Sequence, residues 1–422
     1  MKKHKIWNHI LPVIFAFILV GLVIFGPWSI TPKYAKDTLK EVAINPKIRE
    51  FYIGSSVKDQ ALADKTFLPI MGSSELEHFD AFHPSSFFAK YDPKVTPYLI
   101  GAPGTQSLAN FYYLSSTGNR MKNRKIVFII SPQWFSKKGT SEAELSNFVS
   151  KDALYSWLKS ADPKDKATQS LAKRMLGFKS LDDPAIVNAM RQLAAGHPIY
   201  LADKLQIDAG SRLHDREDAL FSGLNLGKLK LHPENLTALN QELPDKLNFD
   251  ELDKLAYEAG EKASDNNKYQ VKNSVWTKNL APQEKQRKDS MKNVSYLQSP
   301  EYSDFQQLLN LFAKNHDDVQ FVIQPVNGAW YSYTGLSYDK LEDFSNKITY
   351  QLQSQGFTNI LDLTDKYNEK YYVEETIHFG NRGWLAVDKQ IQSFLKAPSQ
   401  TDYTLDNEEF LSPEWDNDNF DQ

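Results

Sequence analysis

The segment from Thr66 to Glu75 reads TFLPIMGSSE, in which a short apolar run ends abruptly at Gly72, Ser73 and Ser74. An apolar run of this length that is bounded by turn residues is typical of a buried strand. Two hydroxyls and a carboxylate directly after such a strand are either turn and helix-cap residues or a nucleophile placed at the strand end. The pattern therefore predicts a buried strand with a candidate site at its carboxyl end.

Four further apolar runs alternate with amphipathic helical patterns along the chain. They are PYLIGAPG at 97–104, KIVFIISPQWF at 125–135, VQFVIQPV at 319–326 and NILDL at 359–363. Continuous apolar strands that alternate with helices are typical of a parallel sheet with both faces covered. In such sheets ligands bind at the carboxyl ends of the strands. We therefore expect an α/β fold, with a parallel sheet sandwiched by helices and a site at its carboxyl edge.

Several segments fall outside this alternation. Residues of about 140–300 are polar and predict a helical insertion within an α/β domain that spans 61–398. The segment 30–60 is predicted to be a connector, and 399–422 an acidic tail that faces solvent or a partner rather than the core.

The amino terminus predicts a membrane anchor. The chain is almost wholly apolar from Ile6 to Trp28, which matches the roughly 20 residues that a membrane-spanning helix needs. Lysines at positions 2, 3 and 5 precede the run, and positive flanks stay cytoplasmic. We therefore expect a single-pass protein of the cell membrane with 30–422 outside the cell. A cleaved signal peptide is the alternative.

The composition excludes several kinds of site. The chain of 422 residues has no cysteine, and therefore no disulfide and no cysteine metal site. Its formal charge of −4 gives no general attraction to nucleic acid. A phosphate-binding loop, a dinucleotide fingerprint and histidines at metal-ligand spacing are all missing, so we expect no cofactor and no metal.

The polar residues at the predicted strand ends favour nucleophilic catalysis. A serine hydroxyl such as that of Ser74 needs a base, and His378 in VEETIHFGNRGW can supply it. Glu375, three residues earlier, can orient the imidazole. Donors for an oxyanion are expected from Gly104 and Gln133. The predicted substrate pocket is completed by three further residues, which are Ser73, Trp134 and Asn327.

Each of these residues also has a structural interpretation. Ser73 and Ser74 can cap the following helix, with Glu77 at the capping-box position for Ser74. Glu75 can be a solvated acid at the helix start. His78 and His83 are close to Ser74 in sequence, so either can be the base instead of His378.

Four motifs taken together resemble one known family. GSSEL after a strand, SPQWF, VNGAWYSYTG and IHFGNRGW occur in the order found in DltD, the family of D-alanyl-lipoteichoic acid biosynthesis proteins of Gram-positive bacteria. That family in turn resembles SGNH-type hydrolases, which implies a flavodoxin-like α/β fold and a triad of serine, acid and histidine. The resemblance assigns the nucleophile to Ser74, with Ser73 as the alternative, and the base to His378. Glu375 stands where the family commonly has aspartate.

The resemblance also implies a function. It predicts an extracellular, membrane-tethered acyltransferase that passes D-alanine through a serine ester to lipoteichoic acid. The expected partners are the cell membrane, the polymer, and other membrane and carrier proteins of the pathway. A D-alanyl esterase or thioesterase and a non-catalytic scaffold remain alternatives. Because the polymer is a polyanion, a local basic surface is expected, with candidates at Arg120, Lys122, Arg124 and Arg382.

Overall fold

The protein is described here by a computed structural model that covers residues 3–26, 32–45, 56–226 and 236–420. Five parallel strands form one sheet in the order β2-β1-β3-β4-β5. The strands are β1 (Phe67–Met71), β2 (Thr96–Ile100), β3 (Lys125–Ile130), β4 (Asp318–Ile323) and β5 (Ile360–Asp362). This is the order of doubly wound flavodoxin-like sheets, whose ligands bind at the switch point between β1 and β3. The predicted α/β class and parallel sheet are confirmed.

Helices connect the strands and cover both faces of the sheet. Those that precede β4 are α1 (Lys3–Phe25), α2 (Lys36–Ala43), α3 (Ser56–Ala63), α4 (Pro84–Tyr91), α5 (Ser107–Ser115), α6 (Glu142–Phe148), α7 (Lys151–Ser160), α8 (Lys166–Met175), α9 (Pro184–Ala194), α10 (Leu201–Leu226), α11 (Leu236–Gln241), α12 (Phe249–Ala263) and α13 (Glu301–Asn315). Those that follow β4 are α14 (Gly328–Thr334), α15 (Tyr338–Gln353) and α16 (Asn381–Lys396).

Shorter helical turns lie between these elements. They are Ser74–Glu77, Gly118–Met121, Pro132–Phe135, Asn273–Val275, the π-helical turn Trp276–Leu280, Ala281–Gln283, Glu284–Arg287, Thr364–Asn368, Asn407–Phe410 and Pro413–Asn417.

The alternation of side chains along β3 shows how the two layers are packed. Ile126 and Phe128 belong to the cluster that contains residues of α5, α13 and α15. Val127 and Ile129 belong to the cluster that contains residues of α4, α12 and α16. Successive side chains of a strand point to opposite faces, so a strand that is apolar throughout is buried on both.

The helices that precede β1 contact the rest of the protein. Leu39 and Val42 of α2 and Leu62 of α3 are buried in the same cluster as α5. Arg216 of α10 donates a hydrogen bond of 2.8 Å to the carbonyl of Gly26, which follows α1. Residues 30–31 and 46–55 of the predicted connector lie outside the described residues.

The apolar amino-terminal run is helical over Lys3–Phe25, while Trp28, its predicted end, lies outside the described residues. Within the part of the chain that the structure describes, none of the helices combines the length and the apolar character that a membrane crossing requires.

The acidic tail is attached to the core, which corrects the expectation that it faces only solvent or a partner. Phe410 and Trp415 are buried, and the Trp415 indole N–H donates to Gln351 Oε1 at 3.2 Å. Lys347 Nζ donates to the carbonyls of Trp415 and Asp418 at 2.7 and 2.8 Å. The acidic composition of the tail gave no indication that two of its aromatic residues, Phe410 and Trp415, are buried in the core.

We expect Trp415→Ala to lower the free energy of unfolding by about 3–5 kcal/mol, because it leaves a large cavity among buried aromatic rings. Urea denaturation of the full chain measures the change. The neighbouring exposed Glu414→Ala is the control and is expected to change the stability by less than about 0.5 kcal/mol. Equal stability of Trp415→Ala and the wild type would contradict the packing of the tail.

Candidate active site

The turn after β1 is shaped by a glutamate that folds back beneath it. Glu75 is buried, and its Oε1 accepts a hydrogen bond of 2.6 Å from the Ser73 N–H. A Cβ on Gly72 would lie 1.9 Å from that oxygen, so a larger residue would displace the carboxylate from this position. Burial raises the pKa of Glu75, although its hydrogen bond to Ser73 and the nearby histidines oppose the rise. The interpretation of Glu75 as a solvated acid is therefore wrong.

The two serines of the turn have different environments. Ser73 is buried, and its hydroxyl donates to the Ala102 carbonyl at 3.2 Å. Its side chain makes no cap hydrogen bond to the helical turn Ser74–Glu77. The Ser74 hydroxyl instead lies 2.7 Å from His378 Nε2. The capping interpretation of this pair is therefore not supported, and Ser74 is the serine that has a base.

The ends of β1 and β2 approach so closely that Gly101 is also required. A Cβ on Gly101 would lie 2.6 Å from the carbonyl carbon and oxygen of Gly72, and backbone atoms have little freedom to move away. The carbonyl of Gly72 is held by the Thr105 hydroxyl at 2.8 Å and by the Asn110 amide at 3.3 Å. The loop after β2 therefore fixes the backbone that carries Ser74.

We expect Gly101→Ala to destabilise the fold by about 2–3 kcal/mol, because the added methyl group collides with backbone rather than with a movable side chain. The control is Gly118→Ala, where φ is +59° but no atom lies within 4 Å, so that only left-handed strain of about 1 kcal/mol is added. Denaturant unfolding of both variants measures the difference. Equal costs would contradict the close approach of the two strand ends.

His378 lies on a loop that is held by several hydrogen bonds. Asn327, after β4, donates its amide hydrogens to the carbonyls of Tyr269 and Glu375, both at 2.9 Å. Its backbone N–H donates to Thr376 at 2.9 Å, and an isolated bridge joins Val373 to Phe379. Both amide hydrogens of Asn327, a residue that we predicted to line the substrate pocket, are thus used to hold the histidine loop in place.

Ser74, His378 and Glu375 form one hydrogen-bonded chain. Glu375 Oε1 is in short contact with His378 Nδ1 and also accepts from the His378 backbone N–H at 3.1 Å. The other oxygen, Oε2, accepts from the Thr376 hydroxyl at 2.6 Å. Because an ionised carboxylate only accepts, the imidazole proton is on Nδ1 and Nε2 is free to accept from Ser74. Residues that are 304 positions apart in sequence are brought together in this way.

The electrostatics of the pair suit a base that is held by an acid. Burial by itself would raise the pKa of Glu375, but hydrogen bonds from His378 and Thr376 lower it to about 2. Burial would lower the pKa of His378, but Glu375 raises it above its ordinary value, with contributions from Glu75 and Glu374. The carboxylate therefore stays charged and is placed to stabilise an imidazolium if His378 takes up a proton.

A second histidine lies against the first. The rings of His78 and His378 are stacked, with centroids 4.0 Å apart and 20° between their planes. His78 Nδ1 lies 2.5 Å from Glu374 Oε1, and Lys272 Nζ lies 2.9 Å from Glu374 Oε2. The stack restrains the orientation of the His378 ring. The residues that build it are distant in sequence, because His78 follows Ser74 by four residues, whereas Lys272 comes from the insertion.

Histidine 83, the other alternative base, has a structural role. It is fully buried, and its Nδ1 accepts from the Ser85 N–H at 3.2 Å as the N-cap of α4. Burial lowers the pKa of His83 to about 3. It therefore remains neutral and is already committed to the start of a helix.

Among the described residues, no hydrogen bond joins the remaining predicted pocket residues to the Ser74 side chain. Gly104 lies in the turn after β2, and a Cβ on it would point at Glu144 and Phe148 of α6. Gln133 is exposed, whereas Trp134 is buried and packs edge-on against Phe128 in the core. An oxyanion role for Gly104 and Gln133 remains a prediction, and the structure places Trp134 in the core because it lies on the inner side of the turn after β3.

The basic residues that we predicted as a polymer surface are mostly engaged elsewhere. Arg124 is buried, where it donates to the carbonyls of Leu62 and Phe67. Arg120 pairs with Asp59 at 3.1 Å, and Arg382 pairs with Asp253 at 2.7 Å. These three cations are engaged within the fold, whereas Lys122 is exposed, and a basic surface that includes it stays a prediction.

Sequence reasoning missed Glu374 and Lys272 as neighbours of the site. The two adjacent glutamates in VEETIH were the available signal for Glu374, because neighbouring carboxylates on a turn can reach two different histidines. No local pattern points to Lys272, which precedes Glu374 by 102 residues.

Comparisons with known proteins agree with the motifs. The sequence model of the family described as "DltD protein" matches residues 48–396. A protein called Protein DltD from Lacticaseibacillus rhamnosus is 34% identical over 414 residues, which cover 97% of this chain and 96% of that protein. Protein DltD from Bacillus subtilis (strain 168) is 34% identical over 399 residues, with 92% and 98% covered. Protein DltD from Staphylococcus aureus (strain NCTC 8325 / PS 47) is 28% identical over 348 residues, with 82% and 85% covered.

Proposed function

Because the chain belongs to the DltD family, which is involved in the D-alanylation of teichoic acid in Gram-positive bacteria, we propose that it is a serine-dependent D-alanyl O-acyltransferase. The observation that carries the proposal is the contact of 2.7 Å between Ser74 Oγ and His378 Nε2, with Glu375 on the opposite ring nitrogen. A nucleophile, a base and an orienting acid in this arrangement can perform acyl transfer through a covalent intermediate. An SGNH-like triad is part of this proposal.

In the first half-reaction, His378 Nε2 takes the proton of Ser74 while Oγ attacks the carbonyl carbon of an activated D-alanyl group. The bond from that carbon to the leaving oxygen or sulfur breaks, and the leaving group receives the proton from His378. The product is a D-alanyl ester on Ser74. Glu375 stays ionised throughout and stabilises the imidazolium between the two proton transfers.

In the second half-reaction, a hydroxyl of the polymer replaces the leaving group. His378 takes the proton of this hydroxyl, whose oxygen attacks the serine ester. The ester bond to Ser74 breaks, and His378 returns the proton to Oγ. The enzyme is restored, and the polymer carries the D-alanyl ester.

The proposed location is the outer face of the cell membrane, with a cytoplasmic amino terminus. It is supported by the apolar run from Ile6 to Trp28 and by the lysines that precede it. In this location the acyl group must be delivered across the membrane by other proteins of the pathway, and the acceptor is lipoteichoic acid. Protease treatment of intact protoplasts tests the topology, because digestion of the α/β domain is expected and full protection would contradict it.

Hydrolysis is the reaction that competes with transfer, because water can replace the polymer hydroxyl in the second half-reaction. Purified full-length protein is incubated with an activated D-alanyl thioester, with and without lipoteichoic acid that lacks D-alanine. We expect D-alanine to appear on the polymer faster than in solution. Release of free D-alanine at the same rate with and without polymer would identify an esterase instead.

A further inference from the structure

A strongly basic segment adjoins the candidate active site. Residues 268–292 contain seven basic and two acidic side chains, although the chain as a whole carries a formal charge of −4. We call these residues the basic segment; its cations are Lys268, Lys272, Lys278, Lys285, Arg287, Lys288 and Lys292.

Most of these cations are not neutralised. Among the described residues, the ion pairs of the basic segment are those of Lys268 with Glu284 at 3.5 Å and of Lys272 with Glu374 at 2.9 Å. The other five cations are exposed. This contrasts with Arg120, Arg124 and Arg382, whose charges are used within the fold. The basic segment therefore presents positive charge that is available to an anion from solution.

The basic segment is joined to the catalytic residues by direct contacts. The Lys272 N–H donates to the Glu374 carbonyl at 2.7 Å, and the Lys272 ammonium contacts the Glu374 carboxylate. Glu374 contacts His78, whose ring is stacked on His378. The five exposed cations follow Lys272 along the same segment, and Lys272 itself contacts the neighbours of His378.

A cluster of aromatic rings packs within and against the basic segment. Tyr269 packs edge-on against Trp330 with centroids 5.1 Å apart, and it contacts Trp276 at 5.2 Å and Tyr333 at 5.3 Å. Trp276 begins a π-helical turn, Trp276–Leu280. Such turns are rare in proteins overall, but where they occur they are frequently at functional sites. Because the aromatic residues contact α14, the backbone beneath the cations is tied to the same element that Asn327 caps.

We propose that the basic segment binds the phosphate groups of a polyol-phosphate polymer and thereby presents its hydroxyls to Ser74. This inference rests on the proposed acyl transfer to teichoic acid. Each repeat of such a polymer carries one negative charge, so several exposed cations can hold successive repeats through contacts that are individually weak. Holding the chain beside Ser74 raises the local concentration of acceptor hydroxyls without fixing which repeat reacts.

The test compares two triple variants of the full-length protein in detergent. The first is Lys278→Gln with Lys285→Gln and Lys288→Gln, which removes three exposed charges of the basic segment. The matched control removes three exposed lysines of the insertion and is Lys164→Gln with Lys173→Gln and Lys204→Gln. The probe is lipoteichoic acid that lacks D-alanine, and its affinity is measured at low and high salt. Labelling of Ser74 by a fluorophosphonate is followed in parallel.

We expect the first variant to bind the polymer about tenfold more weakly, with unchanged melting temperature and unchanged labelling of Ser74. Wild-type affinity is expected to fall as salt rises, because exposed charges are screened. Unchanged affinity in the first variant, or an equal loss in the control, would overturn the proposal. So would a variant that keeps its affinity for the polymer but loses binding to phosphatidylglycerol vesicles, since the surface would then be a membrane contact.

Failure of the proposed function would be visible separately. Absence of Ser74 labelling in the wild type would count against the serine nucleophile. The comparison of the two triple variants would still decide whether the basic segment binds the polymer.

Discussion

Ser74→Ala is expected to lower D-alanyl transfer by roughly 10⁴-fold or more, because no other group can form the acyl intermediate in its place. The assay is the content of esterified D-alanine in cells that carry the variant as their only copy. The loss is expected in the rate, whereas the protein should fold normally, since Ser74 is only half-buried and, among the described residues, its hydroxyl forms a hydrogen bond with His378 alone.

Ser73→Ala is the matched control for this experiment. Its hydroxyl donates to the Ala102 carbonyl, so its loss is expected to cost about 1 kcal/mol of stability and to leave the covalent chemistry available. Wild-type esterification in Ser74→Ala would exclude a serine mechanism and favour the scaffold. Loss of transfer only in Ser73→Ala would show that Ser73, and not Ser74, is the nucleophile.

Glu375→Gln is expected to lower transfer by about 10³-fold and to change its dependence on pH. In the wild type, Glu375 raises the pKa of His378, and the base acts only when it is neutral. The acidic limb of kcat/KM therefore lies above the ordinary histidine value. Removal of the carboxylate lowers the pKa of His378, so that the acidic limb of the residual activity moves to lower pH.

The control for this variant is Glu369→Gln. Glu369 is exposed, and its ion pair with Arg382 is long at 3.8 Å, so both the rate and the acidic limb should match the wild type. An acidic limb that stays in place in Glu375→Gln would contradict the assignment of the base to His378. A limb that moves to higher pH would contradict the sign of the electrostatic coupling.

The sheet could be predicted because its strands are apolar on both faces. Runs such as those of β3 and β4 have few other interpretations when they alternate with amphipathic helices. The strand order could not be predicted from the apolar runs, because it depends on which helix covers which face; only the family resemblance implied the flavodoxin-like order that is observed. The buried role of Trp415 was missed because a charge-rich context masks a single aromatic anchor, whose partners Gln351 and Lys347 lie about 65 residues earlier.

The contact among Ser74, His378 and Glu375 could be predicted to the extent that it is visible in short motifs. Ser74 follows a strand, and Glu375 precedes His378 at a spacing that lets one contact the other. The surroundings were less visible: the buried Glu75 resembles a surface acid, and Asn327 resembles a free amide donor. Whether a polar side chain is already bonded is decided by distant segments, such as the Tyr269 carbonyl that Asn327 contacts.

The most direct test of a serine-bound acyl group is mass spectrometry of the protein after brief exposure to an activated D-alanyl donor without polymer. The account predicts an added D-alanyl group on the peptide that contains Ser74, absent in Ser74→Ala and lost when polymer is supplied. A protein that transfers D-alanine but never carries it at Ser74 would contradict the account.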